Sequence, residues 1–484
     1  MRRHDHLLLA TLVIGCTAAE GGDGESGTSA ASASNDDAPT SSVDVTSAST
    51  SPSSTSASET GGTDDDGSSG DASDDGPPPG TGLLERLSQI DVTVPEGVSA
   101  GPSSWRIWGT GPLGVAPVFT VPLAGCESLV GYTTSNGSAI TSRASRIADD
   151  GAVIANLELG VGRELRGLAA EPDGSFGALV WDPTGQRIWV ERHLADGTAS
   201  WSTELTNADN HPTDFGIGDS RLDFGGGSYR AYYHVHSDSG HEGDTLKSVS
   251  AADGVESTQW GWGCSHSMSE VLRYNAAFDD FLSGCVTDCY PGTNGDFATQ
   301  SIGGIYTENG ASKILDVDAG CNGSVAGELG SAAPFASGWA LSFNAHQAPA
   351  TLGQSSYDVA AMDQDIGFAT VAADRTPSAV TWLTTTPDID EDDSSIARWQ
   401  PEGEGEQFVI GWHEPSSSAY RLARIDATGA VLEGPVDVTG ATAWGRRDDP
   451  FRSHGDGDIV WSWFDTPGST TLHFVRIDAG GDCG

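Results

Sequence analysis

Lysine is almost missing from this chain: Lys247 and Lys313 are the only two in 484 residues. Arginine brings the basic total to 23 against 69 acidic side chains, a net charge of −46. Such a surface repels phosphate backbones, so nucleic acid is excluded as a partner. No apolar run reaches the roughly 20 residues that a membrane-spanning helix needs. Long apolar stretches of helical period are absent too, and the one helical pattern, Leu83 to Ile90, is short. Several catalytic motifs are also missing. Gly263-Cys264-Ser265-His266-Ser267 is not a G-x-S-x-G elbow. Asp388 to Asp393 lacks the Gly and Glu of a calcium-binding EF-hand loop. No phosphate-binding or dinucleotide-binding glycine fingerprint occurs.

What is present begins with a short basic start, Arg2-Arg3, and an apolar run from Leu7 to Ile14. The run has the length of a signal-peptide core. It ends in Val13-Ile14-Gly15-Cys16, which resembles the lipobox of bacterial lipoproteins. The resemblance implies cleavage after residue 15 and lipidation (palmitate among the acyl chains) of Cys16. With Thr17 rather than Asp next, it implies outer-membrane placement.

Residues 16–82 are Ser, Thr, Gly, Ala and Asp, with 13 acidic residues and no Lys or Arg. They cannot bury enough apolar surface to offset their ordering entropy, so a disordered tether is expected. Its end-to-end distance is roughly 45 Å by the square-root rule, enough to hold a domain off a membrane.

Residues 83–484 carry 55 acidic and 21 basic side chains and short alternating runs rich in Val, Ile, Phe, Trp and Tyr. This is an all-β pattern. Asp150-Gly151, Asp196-Gly197, Asp253-Gly254, Asn309-Gly310 and Thr428-Gly429 mark recurring tight turns, with a glycine-free turn expected near Gln364-Asp365. A second repeat is a strand ending in a polar loop: GYTTS (131–135), LVWDP (179–183), YYHVH (232–236), GCVTD (284–288), SFNAH (342–346), GWHEP (411–415) and WSWFD (461–465). Seven four-stranded units predict a seven-bladed β-propeller, with strands A to D from the axis outward. The last unit lacks its fourth strand, and Ser104–Trp108 is expected to supply it.

In a propeller the B–C loops and D–A connections share one face, the top. Seven histidines map there: His211, His234, His236, His241, His266, His346 and His413. His234 and His236 lie two apart on a strand, so both side chains point the same way. With His241, Glu242, Asp244, His266 or Asp288 they make a candidate site for one divalent cation, Zn, Mn or Ca. A metal-free alternative uses His266 with His234 or His236 as base and Tyr233 or Arg221 as partner. That set is similar to the His, Tyr and Arg of propeller polysaccharide lyases. The A-strand starts, among them Arg163-Glu164, Ser220-Arg221, Ser265-His266, Asn322, Asp392-Asp393 and Arg447-Asp448, predict a charged funnel around the axis.

Six cysteines remain after Cys16, and export favours disulfides. The propeller map places Cys126 and Cys483 together at the bottom, and Cys264, Cys285, Cys289 and Cys321 around the fourth blade. The expected function is a tethered monomer whose top face binds a glycan or peptide at the cell surface. The alternative is a polysaccharide lyase or hydrolase using His234, His236 and His266.

Overall fold

In the computed structural model the described residues are 82–101, 114–206, 216–236, 242–263, 269–287, 290–292, 296–301, 304–307, 312–316, 327–348, 363–401 and 404–481. They fall within one compact unit, residues 74–484. A single helical turn, α1 (Leu83–Arg86), leads straight into β1 (Leu87–Thr93). The helix expected through Ile90 therefore ends four residues earlier.

Seven four-stranded antiparallel sheets follow. The first holds β2 (Phe119–Pro122), β3 (Ser128–Ser135), β4 (Ile140–Ile147) and β5 (Val153–Val161). The second holds β6 (Glu164–Ala170), β7 (Phe176–Asp182), β8 (Arg187–His193) and β9 (Ala199–Thr206). The third holds β10 (Gly216–Gly225), β11 (Ser228–His236), β12 (Glu242–Ser250) and β13 (Glu256–Gly263). The fourth begins with β14 (Glu270–Asn275) and β15 (Asp280–Thr287); a small hairpin, β16 (Tyr290–Gly292) and β17 (Asp296–Ser301), precedes its outer strands β18 (Gly304–Thr307) and β19 (Ser312–Asp316). The fifth holds β20 (Gly327–Phe335), β21 (Gly338–Ala345), β22 (Asp365–Ala372) and β23 (Thr381–Trp382). The sixth holds β24 (Asp392–Trp399), β25 (Gln407–Glu414), β26 (Ala419–Asp426) and β27 (Val431–Asp437). The last holds β28 (Arg452–Ser453), β29 (Ile459–Trp463) and β30 (Thr471–Ile477), with β1 as its outer strand.

Each innermost strand touches the next, from β2 through β6, β10, β14, β20 and β24 to β28, and β28 touches β2. This closed ring of blades is an all-β propeller. All seven polar-ended runs read from the sequence fall on second strands of their sheets, and the turns at Gly151, Gly197, Gly254 and Gly429 join third to fourth strands, whereas Asn309-Gly310 lies outside the described residues. Gly151, Gly197 and Gly429 have φ of 81°, 84° and 84°, the left-handed region those turns require.

Two boundaries differ from expectation. The closing strand is Leu87–Thr93, paired with β30 from Leu87↔Ile477 to Thr93↔Thr471. Ser104–Trp108 lies outside the described residues. Asp365 is the first residue of β22, with Gln364 just before it, and the turn falls at residues 373–376, where Arg375 takes φ of 69°.

Burial explains the layering. All eight residues of β21 are buried because both faces of an inner strand meet neighbouring blades, whereas outer β5 is exposed or half-buried at every position but Leu159. Trp181, Trp339, Trp399 and Trp461 fill the wedges between blades. Truncating one of them to Ala costs about 3–5 kcal/mol in such a setting.

Candidate functional site

The inner strands carry a recurring irregularity. Register shifts fall at Leu165/Gly167 in β6, Ile217/Ser220 in β10, Leu329/Ser331 in β20 and Asp392/Ser395 in β24. A bulge adds residues that bend the strand and re-aim side chains. Here the added residues are Arg166, Gly218-Asp219, Gly330 and Asp393-Ser394. Gly218 is required by space, since a Cβ there would meet the His234 ring at 2.9 Å.

These bulges seed a buried ion-pair network near the axis. Arg166 pairs with Glu164 at 2.6 Å, and Arg221 with Asp219 at 2.6 Å. Arg447 reaches Asp219 at 3.7 Å, and Arg273 and Arg452 both reach Asp449 at 2.8 Å. Burial alone would raise the Asp449 carboxyl, but Arg273, Arg452 and Arg221 hold it well below the usual carboxylate range. Burial brings Arg166 down to about 10. Removing one member of such a pair strands a buried charge, at about 3–5 kcal/mol. Arg221 is 1% exposed and belongs to this network rather than to an open surface.

The histidine-rich stretch resolves into two faces of β11. Tyr233 is fully buried in the core between the second and third sheets. Tyr232 and His234 face the fourth sheet. The ladder sets His234 opposite Asp244 and His236 opposite Glu242. His234 Nδ1 lies 2.9 Å from Asp244 Oδ1, and Tyr232 donates to Asp244 Oδ2 at 2.6 Å. Glu270, the first residue of β14, adds a carboxylate 3.9 Å from His234 Nδ1. Burial, then the charges of Asp244 and Asp219, push the Glu270 carboxyl well above its ordinary range. His234, Asp244 and Glu270 thus form a three-ligand cluster. Of the other candidates, His236 and Glu242 are described through the backbone ladder alone, and His241, His266 and Asp288 lie outside the described residues. Glu270 had no motif around it and was not among the sequence candidates.

A second cluster lies at the top of the sixth sheet, where Asp392, Asp393 and His413 converge. His413 Nδ1 sits 2.8 Å from Asp392 Oδ1. Burial would depress the imidazole, but this hydrogen bond together with the charges of Asp392, Asp393 and Glu414 outweighs it and raises the His413 pKa. Beside it opens a cavity of about 470 Å³, lined by Glu328, Asp393, Tyr420, Trp444, Arg447, Asp448, Trp463, Phe464 and Asp465 together with Gly114, Val115, Ala116 and Val118. Asp448 accepts from the backbone N–H groups of Val118 and Gly445, and burial pushes its carboxyl up to about 7. The Trp463 indole stacks on His473 at 4.2 Å. His473 in turn bridges Asp91 of β1 at 2.7 Å and Asp465 at 3.0 Å, so the closing strand props one wall. The funnel residues Asp393, Arg447 and Asp448 meet here; the Ser265-His266 and Asn322 positions lie outside the described residues.

Among the cysteines, Cys126 and Cys285 are buried and disulfide-bonded. Cys16, Cys264, Cys289, Cys321 and Cys483 lie outside the described residues.

No protein-family model and no curated protein matches this chain. Among solved structures, the polysaccharide lyase Uly1 is 9% identical, with 81% of this chain and 99% of that one covered at a TM-score of 0.47. The α-L-arabinanase of Penicillium chrysogenum with arabinobiose is 10% identical, covering 81% and 99% at a TM-score of 0.41. The Dos1 propeller is 11% identical, covering 80% and 93% at a TM-score of 0.41. These likenesses stop at the fold.

Proposed function

We propose that this chain is a seven-bladed binding propeller, held at the outer membrane by a lipid on Cys16 and the linker that follows, and that its axial cavity takes a neutral glycan. The cavity carries the reading. Its volume of about 470 Å³ lies within the roughly 300–1,000 Å³ of small-molecule sites. Trp463, Tyr420 and Phe464 offer aromatic faces on which the C–H face of a sugar ring stacks. Asp393, Asp448, Asp465 and Glu328 accept from hydroxyl groups, and Arg447 donates to them. Four acidic side chains against one guanidinium disfavour uronates and sulfated sugars. A basic peptide, the other ligand this charge suits, is the competing occupant.

The test is titration with neutral, uronic and sulfated oligosaccharides and with a lysine-rich peptide. Neutral sugars should bind, and Trp463→Ala or Tyr420→Ala should weaken them about tenfold or more, as expected for an aromatic anchor. Binding of the peptide alone, or affinities unmoved by both substitutions, would refute the glycan reading. Cys16→Ser should release the chain from membranes; unchanged fractionation rules out the anchor.

A hydrolytic variant of this reading has one observation behind it. A carboxyl titrating near 7, as Asp448 does, can act as a general acid at neutral pH. Release of reducing ends that disappears in Asp448→Asn would convert the binding site into an active site.

A further inference from the structure

The buried acids near the axis are almost all matched by guanidinium groups: Glu164 by Arg166, Asp219 by Arg221, and Asp449 by Arg273 and Arg452. Asp244 and Glu270 break this pattern. Both are 0% exposed, and among the described residues no Arg or Lys lies within ion-pair distance of either. Neither carboxylate oxygen of Glu270 has a hydrogen-bond partner. An ionised carboxylate buried this way is costly unless a cation or a proton compensates it. Among the described residues His234 is the one basic side chain there, and even a protonated imidazole cannot neutralise two carboxylates.

The arrangement is that of a coordination shell. One imidazole nitrogen and two carboxylate oxygens, each from a different strand, lie within 4.8 Å of one another. Ligands held at about 2.0–2.2 Å from a shared ion stand about 3–3.5 Å apart. The observed 2.9 Å from His234 to Asp244 and 3.9 Å from His234 to Glu270 bracket that spacing. Tyr232 supplies the outer contact, donating to the Asp244 oxygen that does not face His234. Such outer contacts orient ligands and tune affinity. The strands matter as well: His234 is on β11, Asp244 on β12 and Glu270 on β14.

We propose that His234, Asp244 and Glu270 bind one divalent transition-metal cation, and that this ion pins the third sheet of the propeller to the fourth. Nitrogen with two carboxylates suits zinc or manganese better than calcium, which prefers an all-oxygen shell. All three side chains are buried and come from strands of two adjacent sheets, so the role assigned to the ion is to lock the blade junction rather than to meet a substrate. None of the three ligands lines the cavity, although Asp219 touches both sites, accepting from the Glu270 backbone N–H at 3.1 Å and facing the cavity-lining Arg447 at 3.7 Å.

The experiment uses the purified chain, stripped with chelator, re-equilibrated with zinc or manganese and dialysed. Elemental analysis should find one ion per chain, and the thermal midpoint should rise with the metal and fall again with chelator. Glu270→Gln should weaken binding at least about tenfold, since it removes a ligand charge. Tyr232→Phe should keep the stoichiometry and weaken affinity about tenfold. His413→Ala, at the other His–carboxylate cluster, should keep the ion. No stoichiometric metal in the wild type, or no midpoint shift on adding it, overturns the proposal. So does a Glu270→Gln variant that gains stability while the wild type holds no metal, which would mean that Glu270 shares a proton with neighbouring Asp219.

Discussion

A buried carboxyl changes the stability of this protein by an amount and a sign that follow from its surroundings. Glu391 is 1% exposed, and Thr384 and Thr386 both donate hydroxyl hydrogen bonds to it. Burial pushes its pKa up to about 7, further than the two hydroxyls pull it down. A raised acid pKa means the folded chain keeps a proton that the unfolded chain has lost. Stability is therefore greatest below the unfolded value near 4.5 and falls as pH rises to about 7, by about 3 kcal/mol in all. Glu391→Gln keeps the shape and, because hydroxyl rotors can reverse, keeps both hydrogen bonds. Denaturant midpoints of variant and wild type should coincide at pH 4, and the variant should be the more stable by up to about 3 kcal/mol at pH 8. Equal stability at both pH values would show that Glu391 is ionised at no cost. At this scale the sequence was informative about residue type but not about neighbours. His234 and Asp244 stood out as histidine and acid in one loop-rich stretch. Glu270 did not, because only the ring brings the start of β14 beside the end of β11. Tyr233 could not be told from Tyr232 until the face of β11 that meets each neighbour was known.

Strands and turns were the most legible elements. Turn glycines and polar-ended apolar runs report local geometry, which a sequence records directly. The bulges of β6, β10, β20 and β24 were not legible, since an extra residue is defined by the partner strand's register. The closing strand was misplaced for a related reason. Leu83 to Ile90 is built of good helix formers, and β1 shows alternation only weakly, with Val92 its one buried residue. Pairing with β30 outweighs that local preference. Val92 packs in the cluster with Val460, Phe464 and Leu472. Val92→Asp would bury a charge without a partner and should lower stability by about 3 kcal/mol or more, with aggregation through the bared β30 edge. Thermal unfolding with light scattering measures both. Asp91→Ala keeps the strand but removes its hold on His473, so it should weaken ligand binding in the cavity while leaving the melting temperature nearly unchanged. Loss of fold in Asp91→Ala and tolerance of Val92→Asp would reverse the roles assigned to these neighbours.

A ring whose two ends meet in one sheet is only as strong as that meeting, and for the whole molecule β1 against β30 is the non-covalent half of it. The covalent half is inferred from Asp456, in the turn between β28 and β29. Its carboxylate lies 2.8 Å from the Cys126 sulfur. Its carbonyl oxygen stands against Gly481, where a Cβ would come within 2.5 Å. One residue thus touches both Cys126 and the segment that reaches Cys483 two positions later. Cys126 carries a disulfide, and Cys483 is the partner this geometry favours over the four-cysteine group assigned to the fourth sheet. A bridge across so long a loop restricts the unfolded chain by up to about 6 kcal/mol, less any strain in the folded state. Cys126→Ser and Cys483→Ser should then lower the denaturant midpoint by similar amounts, and the double variant should lose no more than either single one. Peptide mapping without reductant should recover the two cysteines in one linked fragment. A fragment joining Cys126 to Cys264, Cys289 or Cys321 would break this account, because it would leave Cys483 without the partner assigned to it.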